Sequence, residues 1–360
     1  MDGYRKARGA VVEQARGPVE VRDIEVPEPI GTEVMIRVDA CGLCHSDLHY
    51  IDGTSGTDFP YIVGHEIVGR VEAWGPDVSA LPVGQRVVVA LIAPCGSCPQ
   101  CTRGRRLSCT AKMRPSRPPR LDDGRVLTPV LAAGGLASHV TVHAQHVTPI
   151  SEDLPDEQAA LLGCGVPTGY GAVANTAPVL PGDAVAVIGA GGVGLAAIAA
   201  ARAGGAMRIL AVDLNPAKLE EARAFGATQT HVPGQGEDPD GFDVVIDAVG
   251  GATTLRSAIT MAASGGHIVL AGAPTTSETA DFHLRTAFLK RLTIEYSHWG
   301  DCDPQRDLEA IAGLAADGSF PLHRYVTEVV TLEDAAAAYQ RLREGKVLRS
   351  VVRIGGTAGP

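Results

Sequence analysis

The sequence lacks an excess of positive charge: its 360 residues carry a formal net charge of -10 at pH 7. We therefore expect neither nucleic acid nor an anionic membrane as a partner. The sequence also lacks an apolar segment within Met1–Ala10, so we expect no secretory signal and a cytoplasmic location. The longest apolar run, Ala184–Ala201, is interrupted by spaced glycines and predicts a buried strand, turn and helix rather than a membrane span.

The chain length and the spacing of apolar residues predict two domains and an α/β fold. Up to Pro149, short Val/Ile runs broken by Gly and Pro are typical of an antiparallel β domain. Beyond it, apolar strands alternate with Ala-rich helices, which is typical of parallel strands joined by helical crossovers. A last predicted strand, Arg349–Ile354, can rejoin the N-terminal part. We expect a catalytic domain at 1–165 and 296–360, with a cofactor domain at 166–295 inserted between these two segments.

Four of the eight cysteines lie in one short loop with the spacing C-x2-C-x2-C-x7-C: Cys95, Cys98, Cys101 and Cys109. In a reducing environment, clustered cysteines favour a metal over disulfides. Four thiolates can close a tetrahedron around zinc and leave no position for water, so we expect this site to be structural. An iron–sulfur cluster is the alternative, because the first three spacings resemble those of ferredoxins.

A second set of metal-ligand residues is distributed over the segments CHSD, GHE and GCG. Cys44, His65 and Cys164 supply two thiolates and one imidazole, which leaves room for a fourth ligand. An open position is typical of catalytic zinc, which binds an alcohol oxygen, lowers its pKa and stabilises the alkoxide that releases hydride. Cys41 and Cys44 also have the spacing of a redox pair, but zinc on Cys44 leaves Cys41 as a small buried residue. The sequence therefore predicts two Zn²⁺ ions per chain.

The polar residues beside these ligands have predicted roles in catalysis. A hydroxyl next to a ligand, followed by a histidine, provides a path for the alcohol proton to water, and Ser46 and His49 fit this pattern. A metal-bound imidazole usually donates its other N–H to a carboxylate, and Asp47 can accept it from His65. We expect Glu66 to lie in the layer around the ligands.

A glycine-rich loop follows the predicted strand Val185–Ile188 and opens a helix; its residues are Gly189, Gly191, Gly192, Val193 and Gly194. In this context, G-x-G-x-x-G predicts a dinucleotide site, because the glycines let the pyrophosphate approach the helix N-terminus. Asp213 ends the next predicted strand, where its carboxylate can accept from the ribose 2′-hydroxyl and would repel a 2′-phosphate. NAD is therefore predicted over NADP, and Lys218 is near enough in sequence to reach the same ribose.

These motifs resemble, in order, those of the zinc-containing medium-chain alcohol dehydrogenases over essentially the whole chain: CHSDLH, GHE, the four-cysteine loop, GCGVPTGYGA, GAGGVG, Asp213 and VLRSVV. The resemblance implies a GroES-like, β-rich catalytic domain and a Rossmann cofactor domain with a doubly wound parallel sheet. It also implies that Thr168 contacts the nicotinamide end of NAD, that His45 and Arg349 contact the pyrophosphate, and that the protein is a homodimer or homotetramer.

Within this family, the segment WGDCDPQRD resembles a bacterial branch with mycothiol-dependent formaldehyde dehydrogenases and aryl or allylic alcohol dehydrogenases. The predicted function is zinc-dependent hydride transfer between NAD(H) and a primary alcohol or aldehyde. One alternative is a biosynthetic NAD(P)H-dependent reductase of an activated C=C or C=N bond, and another is a non-catalytic NAD-binding protein. The open ligand set with Ser46 and His49 favours the dehydrogenase, because such reductases often lose the hydroxyl and the histidine.

Overall fold

The computed structural model describes residues 3–79, 81–111, 115–237, 239–274 and 278–355. The chain folds as two compact units. The first consists of Met1–Cys164 with Leu322–Pro360, and the second of Gly165–Pro321.

The strands of the described residues are, in chain order, β1 (Tyr4–Val12), β2 (Glu20–Pro27), β3 (Glu33–Gly42), β4 (Tyr61–Ile62), β5 (Glu66–Trp74), β6 (Arg86–Val89), β7 (Arg120–Leu121), β8 (Thr128–Pro129), β9 (His139–His143), β10 (Val147–Pro149), β11 (Ala184–Ile188), β12 (Arg208–Val212), β13 (Gln229–His231), β14 (Phe242–Asp247), β15 (Ala262–Leu270), β16 (Thr293–Tyr296), β17 (Val326–Val330) and β18 (Arg349–Arg353).

The α-helices of the same residues are α1 (His45–Ile51), α2 (Pro99–Thr102), α3 (Asp156–Ala160), α4 (Gly165–Gly171), α5 (Gly192–Ala203), α6 (Pro216–Phe225), α7 (Ala252–Met261), α8 (Leu284–Lys290), α9 (Pro304–Ala316) and α10 (Ala335–Arg343). Across the described ranges, every helix is too short or too polar to cross a membrane.

The first unit contains two β-sheets. One has the strand order β7-β2-β1-β4-β8; the other has the order β10-β6-β5-β3-β18-β17, and β9 also pairs with β3. Strand β3 is buried along nearly its whole length, as its run of Val34, Met35 and Ile36 predicts for a central strand. Strand β18 pairs antiparallel with β3, so the C-terminal segment returns to the first unit. This central position of β3 fixes the start of α1, where the first metal-ligand residue lies.

The second unit is built on a parallel sheet with the strand order β13-β12-β11-β14-β15-β16. Helices α5 to α8 each follow one of these strands, which gives the helical crossovers that the alternating pattern predicts. Their ends follow local chemistry: α6 begins where Asn215 accepts a hydrogen bond from the backbone N of Ala217 (3.0 Å) and ends at Gly226, with φ of 118°.

The second unit continues beyond the boundary expected at residue 295 and ends at Pro321. The turn before α9 packs on α4. The side-chain amide of Asn175 donates to the carbonyl of Gly300 (3.2 Å) and to the carboxylate of Asp307 (3.1 Å). The strand–helix alternation stops at β16, but the residues after it still pack on the second unit. The boundary therefore lies later than the alternation predicts. The outer limits expected for the first domain, residues 1 and 360, lie outside the described residues.

Candidate functional site

Four cysteine sulfur atoms lie within 4.8 Å of one another on the loop around α2: Cys95, Cys98, Cys101 and Cys109. Backbone N–H groups point toward them, with Cys98 N at 3.2 Å from Cys95 Sγ and Cys95 N at 3.3 Å from Cys109 Sγ. Hydrogen bonds from the backbone of Cys101 and Thr110 lower the pKa of Cys98 to about 5. Reduced thiols in this arrangement fit a tetrahedral zinc ion with four thiolate ligands.

The second set of metal-ligand residues is buried in the first unit. Ligand-capable atoms of Cys44, His65 and Cys164 lie within 4.8 Å of one another, and a carboxylate oxygen of Glu66 lies in the same group. Nε2 of His65 is buried and has no oxygen or nitrogen partner among the described residues. A buried ring nitrogen beside two thiols is the donor set that zinc prefers, so these residues fit a zinc ion. The carboxylate of Glu66 thus lies next to the predicted ligand atoms.

Glycines next to the ligands let these chain segments approach closely. Cys44 is the N-cap residue of α1, directly after β3. His65 follows Gly64, whose φ is 91° and where an added Cβ would lie 2.5 Å from the backbone N of Leu136. Cys164 follows Gly163, where an added Cβ would lie 2.9 Å from Cα of Glu66. The Gly-His and Gly-Cys pairs of the sequence thus serve the packing of the site.

Asp47 is fully buried in α1 and connects the ligands to the backbone. Its Oδ2 accepts from the backbone N of Cys44 (3.2 Å), and its Oδ1 accepts from the backbone N of Gly64 (3.1 Å). Oδ1 also lies 3.0 Å from Nδ1 of His65. The structure therefore contains the contact between His65 and a carboxylate that the sequence predicts. It leaves Nε2 of the imidazole for a metal.

The charges around the cluster favour a thiolate at Cys44. A hydrogen bond with Cys164, against the opposing effect of burial, and the positive charges of Arg349 and His65 hold the pKa of Cys44 well below its usual range. Arg349 is 4% exposed, and its guanidinium lies 3.8 Å from the Glu66 carboxylate. This ion pair is a feature that sequence reasoning missed, since it assigned Arg349 only to the pyrophosphate.

Ser46 and His49 lie one turn apart on α1, and both are partly exposed. The hydroxyl of Ser46 lies 3.7 Å from Sγ of Cys44, the predicted ligand. Nδ1 of His49 lies 3.3 Å from the hydroxyl of Thr54. Sequence reasoning did not identify Thr54, which follows the helix in a Thr-Ser pair. His45, the predicted pyrophosphate contact on the same helix, is exposed.

In the second unit, the glycine-rich loop joins β11 to α5 as predicted. Gly189 has φ of 94°, and a Cβ added at Gly194 would overlap the carbonyl oxygen of Gly189. By contrast, a Cβ added at Gly191 would meet no atom within 4 Å. The loop therefore needs Gly189 and Gly194 for its own packing, and it leaves open space at Gly191. That space, at the N-terminus of α5, fits the pyrophosphate of a dinucleotide.

Three other predicted cofactor residues lie in the second unit, and one of them, Asp213, contacts this loop. Asp213 follows β12, and its carboxylate accepts from the backbone N of Ala190 (2.8 Å) and of Asn215 (2.8 Å). These contacts hold the carboxylate against the loop. Lys218 lies half-buried on α6. Thr168 is buried in α4, which packs closely on α5, since a Cβ added at Gly169 would lie 2.5 Å from Cβ of Ala196.

Sequence reasoning missed the turn after β14. Asp247 is fully buried there and accepts from the backbone N of Val249 (2.9 Å) and of Gly250 (3.0 Å). Val249 is 51% exposed, and its side chain would lie 2.7 Å from a Cβ added at Gly189. The signal in the sequence was an acidic residue at a strand end followed by Gly-Gly, at the same sheet edge as the glycine-rich loop.

The fold and the two sites define a class of protein: a zinc-dependent oxidoreductase with a Rossmann unit for a nicotinamide dinucleotide. Residues 31–152 match the family model described as alcohol dehydrogenase GroES-like domain, and residues 192–317 match the one described as zinc-binding dehydrogenase. Alcohol dehydrogenase B of Mycobacterium tuberculosis is 33% identical over 97% of this chain and 98% of its own length. S-(hydroxymethyl)glutathione dehydrogenase of Escherichia coli is 32% identical over 97% of this chain and 100% of its own length.

Solved structures agree with these relatives. An alcohol dehydrogenase zinc-binding domain protein from Burkholderia ambifaria has a TM-score of 0.92 and 31% identity, and covers 98% of this chain and 100% of its own. Benzyl alcohol dehydrogenase from Acinetobacter calcoaceticus has a TM-score of 0.90 and 28% identity over the same shares, 98% and 100%. The chain belongs to the zinc-containing medium-chain alcohol dehydrogenases. It is an enzyme that uses zinc and NAD, and the reductase and non-catalytic alternatives are not favoured.

Proposed function

We propose that this enzyme oxidises a primary allylic or aromatic alcohol to its aldehyde with NAD, and catalyses the reverse reduction. The observation that carries the proposal is the buried Nε2 of His65, turned away from Asp47 and grouped with the sulfur atoms of Cys44 and Cys164. The structural similarity to benzyl alcohol dehydrogenase supports the class of substrate.

Cys44, His65 and Cys164 are the proposed ligands of the catalytic zinc, and Cys95, Cys98, Cys101 and Cys109 those of the structural one. When bound there, the catalytic zinc would polarise the substrate oxygen, and NAD would supply the hydride acceptor. Asp47 holds the imidazole ligand in one tautomer. The positive charge of Arg349, which lies 3.8 Å from the Glu66 carboxylate, favours the thiolate of Cys44.

The proposed path for the substrate proton runs along α1. The hydroxyl of Ser46, next to Cys44, accepts this proton and passes it toward His49, whose ring is partly exposed and can release it to water. Thr54 holds the ring of His49 through Nδ1. A hydroxyl followed by an imidazole suits this role, because each group can accept one proton and donate another.

The second unit is the proposed cofactor domain, and the first unit the catalytic domain. The loop Gly189–Gly194 is the proposed site of the pyrophosphate. The family resemblance alone supports His45 and Arg349 as pyrophosphate contacts. Asp213 accepts from the ribose, assisted by Lys218, and Thr168 contacts the nicotinamide end. The support is local: the open space at Gly191, the carboxylate held against Ala190, and the packing of α4 on α5.

The test of this function is the gain in absorbance at 340 nm when NAD and a panel of alcohols are added to protein with two zinc ions per chain. We expect allylic and benzylic alcohols to be oxidised faster than secondary alcohols or polyols. A matched variant, Ser46→Ala, should keep both zinc ions and lose most of the rate. The proposal fails if zinc-loaded protein reduces NAD with none of the primary alcohols.

We also propose that two or four copies of this chain associate through the second unit. Strand β16 lies at the sheet edge, and four large apolar side chains near it are at least 62% exposed: Leu284, Phe288, Leu289 and Tyr296. An exposed sheet edge beside apolar side chains is suited to pairing with a second copy about a two-fold axis. Phe288→Glu should lower the mass measured by light scattering, whereas Val83→Glu, at an exposed site of the first unit, should not. An unaltered protein with the mass of one chain would refute this proposal.

A cytoplasmic location is the remaining part of the proposal. It is supported by the eight cysteines, all free thiols in the structure. Cell fractionation tests it, and recovery of the protein outside the cytoplasm would contradict it.

A further inference from the structure

Helix α10 of the C-terminal segment packs against α1, the helix that begins at the ligand Cys44. At its last turn, the guanidinium of Arg343 donates two hydrogen bonds to the carboxylate of Asp52, at 2.7 and 2.8 Å. Asp52 is the C-cap residue that directly follows α1. Tyr339 lies four residues before Arg343, so both side chains share one face of α10. That face is the one directed at α1.

Tyr339 is 3% exposed and packs in the core cluster that contains Leu43 and Leu48, on either side of the CHSD segment. Burial raises the pKa of its phenol well above the ordinary value. The negative charge of the nearby Asp47 carboxylate raises this pKa further. The hydroxyl is buried and has no partner at normal hydrogen-bond geometry among the described residues. Leaving a buried hydroxyl without a hydrogen bond costs free energy. We therefore expect the Tyr339 hydroxyl to donate a hydrogen bond to the nearby Asp47 carboxylate.

Asp47 already accepts from the backbone of Cys44 and Gly64 and contacts the ring of His65. Tyr339 lies on α10, which packs against α1, the helix that carries Asp47. We propose that Tyr339 is a positioning residue for the metal centre: its hydroxyl holds the carboxylate of Asp47, and Asp47 in turn orients His65. This inference rests on the proposed role of His65 as a zinc ligand.

The variant that isolates the hydroxyl is Tyr339→Phe, because phenylalanine keeps the ring and its packing. The matched control is Tyr61→Phe in the same unit. Tyr61 is also buried, 2% exposed, but its hydroxyl accepts from the backbone N of Asp58 (2.9 Å) instead of contacting Asp47. Both variants lose one buried phenolic oxygen, so a general loss of stability affects them alike.

The measurement is the release of zinc to a coloured chelator under native conditions, together with the visible spectrum after cobalt replaces zinc. We expect Tyr339→Phe to release the more labile zinc about tenfold faster than the unaltered protein and to change the cobalt spectrum. Tyr61→Phe should change only the melting temperature. Zinc release and a cobalt spectrum equal to those of Tyr61→Phe would overturn the inference.

The double variant with Asp47→Asn tests the route of the effect. If Tyr339 acts through Asp47, Tyr339→Phe should add no further increase in zinc release once Asp47 is replaced. Additive increases would overturn the route. Finding one zinc per chain in the unaltered protein would instead refute the proposed ligand set. Equal zinc release from Tyr339→Phe and Tyr61→Phe, in protein that holds two zinc ions, would refute only the role of Tyr339.

Discussion

Nδ1 of His65 lies 3.0 Å from Oδ1 of Asp47, and both side chains are completely buried. Asp47 is itself placed by the backbone N of Cys44, three residues earlier at the start of α1. One helical turn therefore carries both a proposed ligand and the acid that orients another ligand. The proposed metal centre therefore depends on Asp47, a residue outside its proposed ligand set.

Asp47→Asn should weaken binding of the catalytic zinc by about 10–100-fold. An amide has only one acceptor oxygen. Its NH₂ group would therefore face a backbone N–H group that now donates a hydrogen bond to the carboxylate. Chelator titration of the zinc-loaded variant measures this loss. Asp123→Asn, at an exposed surface turn, serves as the control and should keep both ions. Unchanged zinc affinity in Asp47→Asn would show that the orientation of His65 does not need a carboxylate.

Cys164→Ala and Cys98→Ala should each remove one zinc ion, with different consequences. Loss of Cys164 should abolish nearly all activity. The melting temperature of this variant should stay close to that of the unaltered protein from which the catalytic zinc has been removed. Loss of Cys98 should lower the melting temperature or the fraction of associated protein, because a zinc ion with four thiolate ligands stabilises the folded state. Metal analysis, calorimetry and the NAD assay distinguish the two. A Cys98→Ala protein with unchanged melting and no activity would contradict the structural assignment.

Two glycines of the cofactor loop should respond oppositely to alanine. A Cβ at Gly194 overlaps the carbonyl of Gly189, so Gly194→Ala should destabilise the protein even without cofactor, by about 1–3 kcal/mol. A Cβ at Gly191 meets no protein atom, so Gly191→Ala should melt normally and bind NADH more weakly. Thermal melting and NADH titration measure both effects. Normal NADH binding by Gly191→Ala would place the pyrophosphate elsewhere.

Asp213→Ala should relax the preference for NAD over NADP by about tenfold or more in the ratio of kcat/KM values, because it removes a charged acceptor for the ribose. Its control is Asp243→Ala, since Asp243 also accepts from a backbone N–H, that of Ala184 (2.9 Å), at the start of the same sheet. Both variants lose a similar structural contact. An unchanged preference in Asp213→Ala would reject the ribose role.

His143 should make stability depend on pH. Its Nδ1 accepts from the backbone N of Gln145 (3.2 Å), which a protonated ring cannot do, and burial with the charge of His146 lowers its pKa. The unfolded chain therefore binds the proton first as the pH falls. The stabilisation is complete above the ordinary pKa of about 6.5 and is lost as the pH falls through the lower, folded value.

Urea unfolding between about pH 7 and about pH 5 tests this sign. His143→Asn keeps an acceptor at the turn but has no titrating group, so its free energy of unfolding should fall less than that of the unaltered protein. An equal or steeper fall would show that His143 is not the group responsible.

Much of this site could be predicted from the sequence, because its chemistry lies in short segments. The C-x2-C-x2-C-x7-C loop places four thiolates within a few residues, so spacing alone brings them together. The glycine-rich loop is equally local, since a strand, a tight turn and a helix suffice to form it. Asp47 and His65 were matched by chemical complementarity, and the structure contains their contact.

Tertiary structure decided what depends on segments far apart in sequence. Arg349 lies on β18, which pairs with β3, and only this pairing places its guanidinium beside Glu66. Tyr339 contacts α1 because α10 packs on it, and no spacing in the sequence indicates that. The end of the second unit at Pro321 follows from packing on α4, which continues after the strand–helix alternation stops. Sequence patterns record local geometry and donor chemistry, whereas burial and long-range pairing arise only when the sheets and helices are assembled.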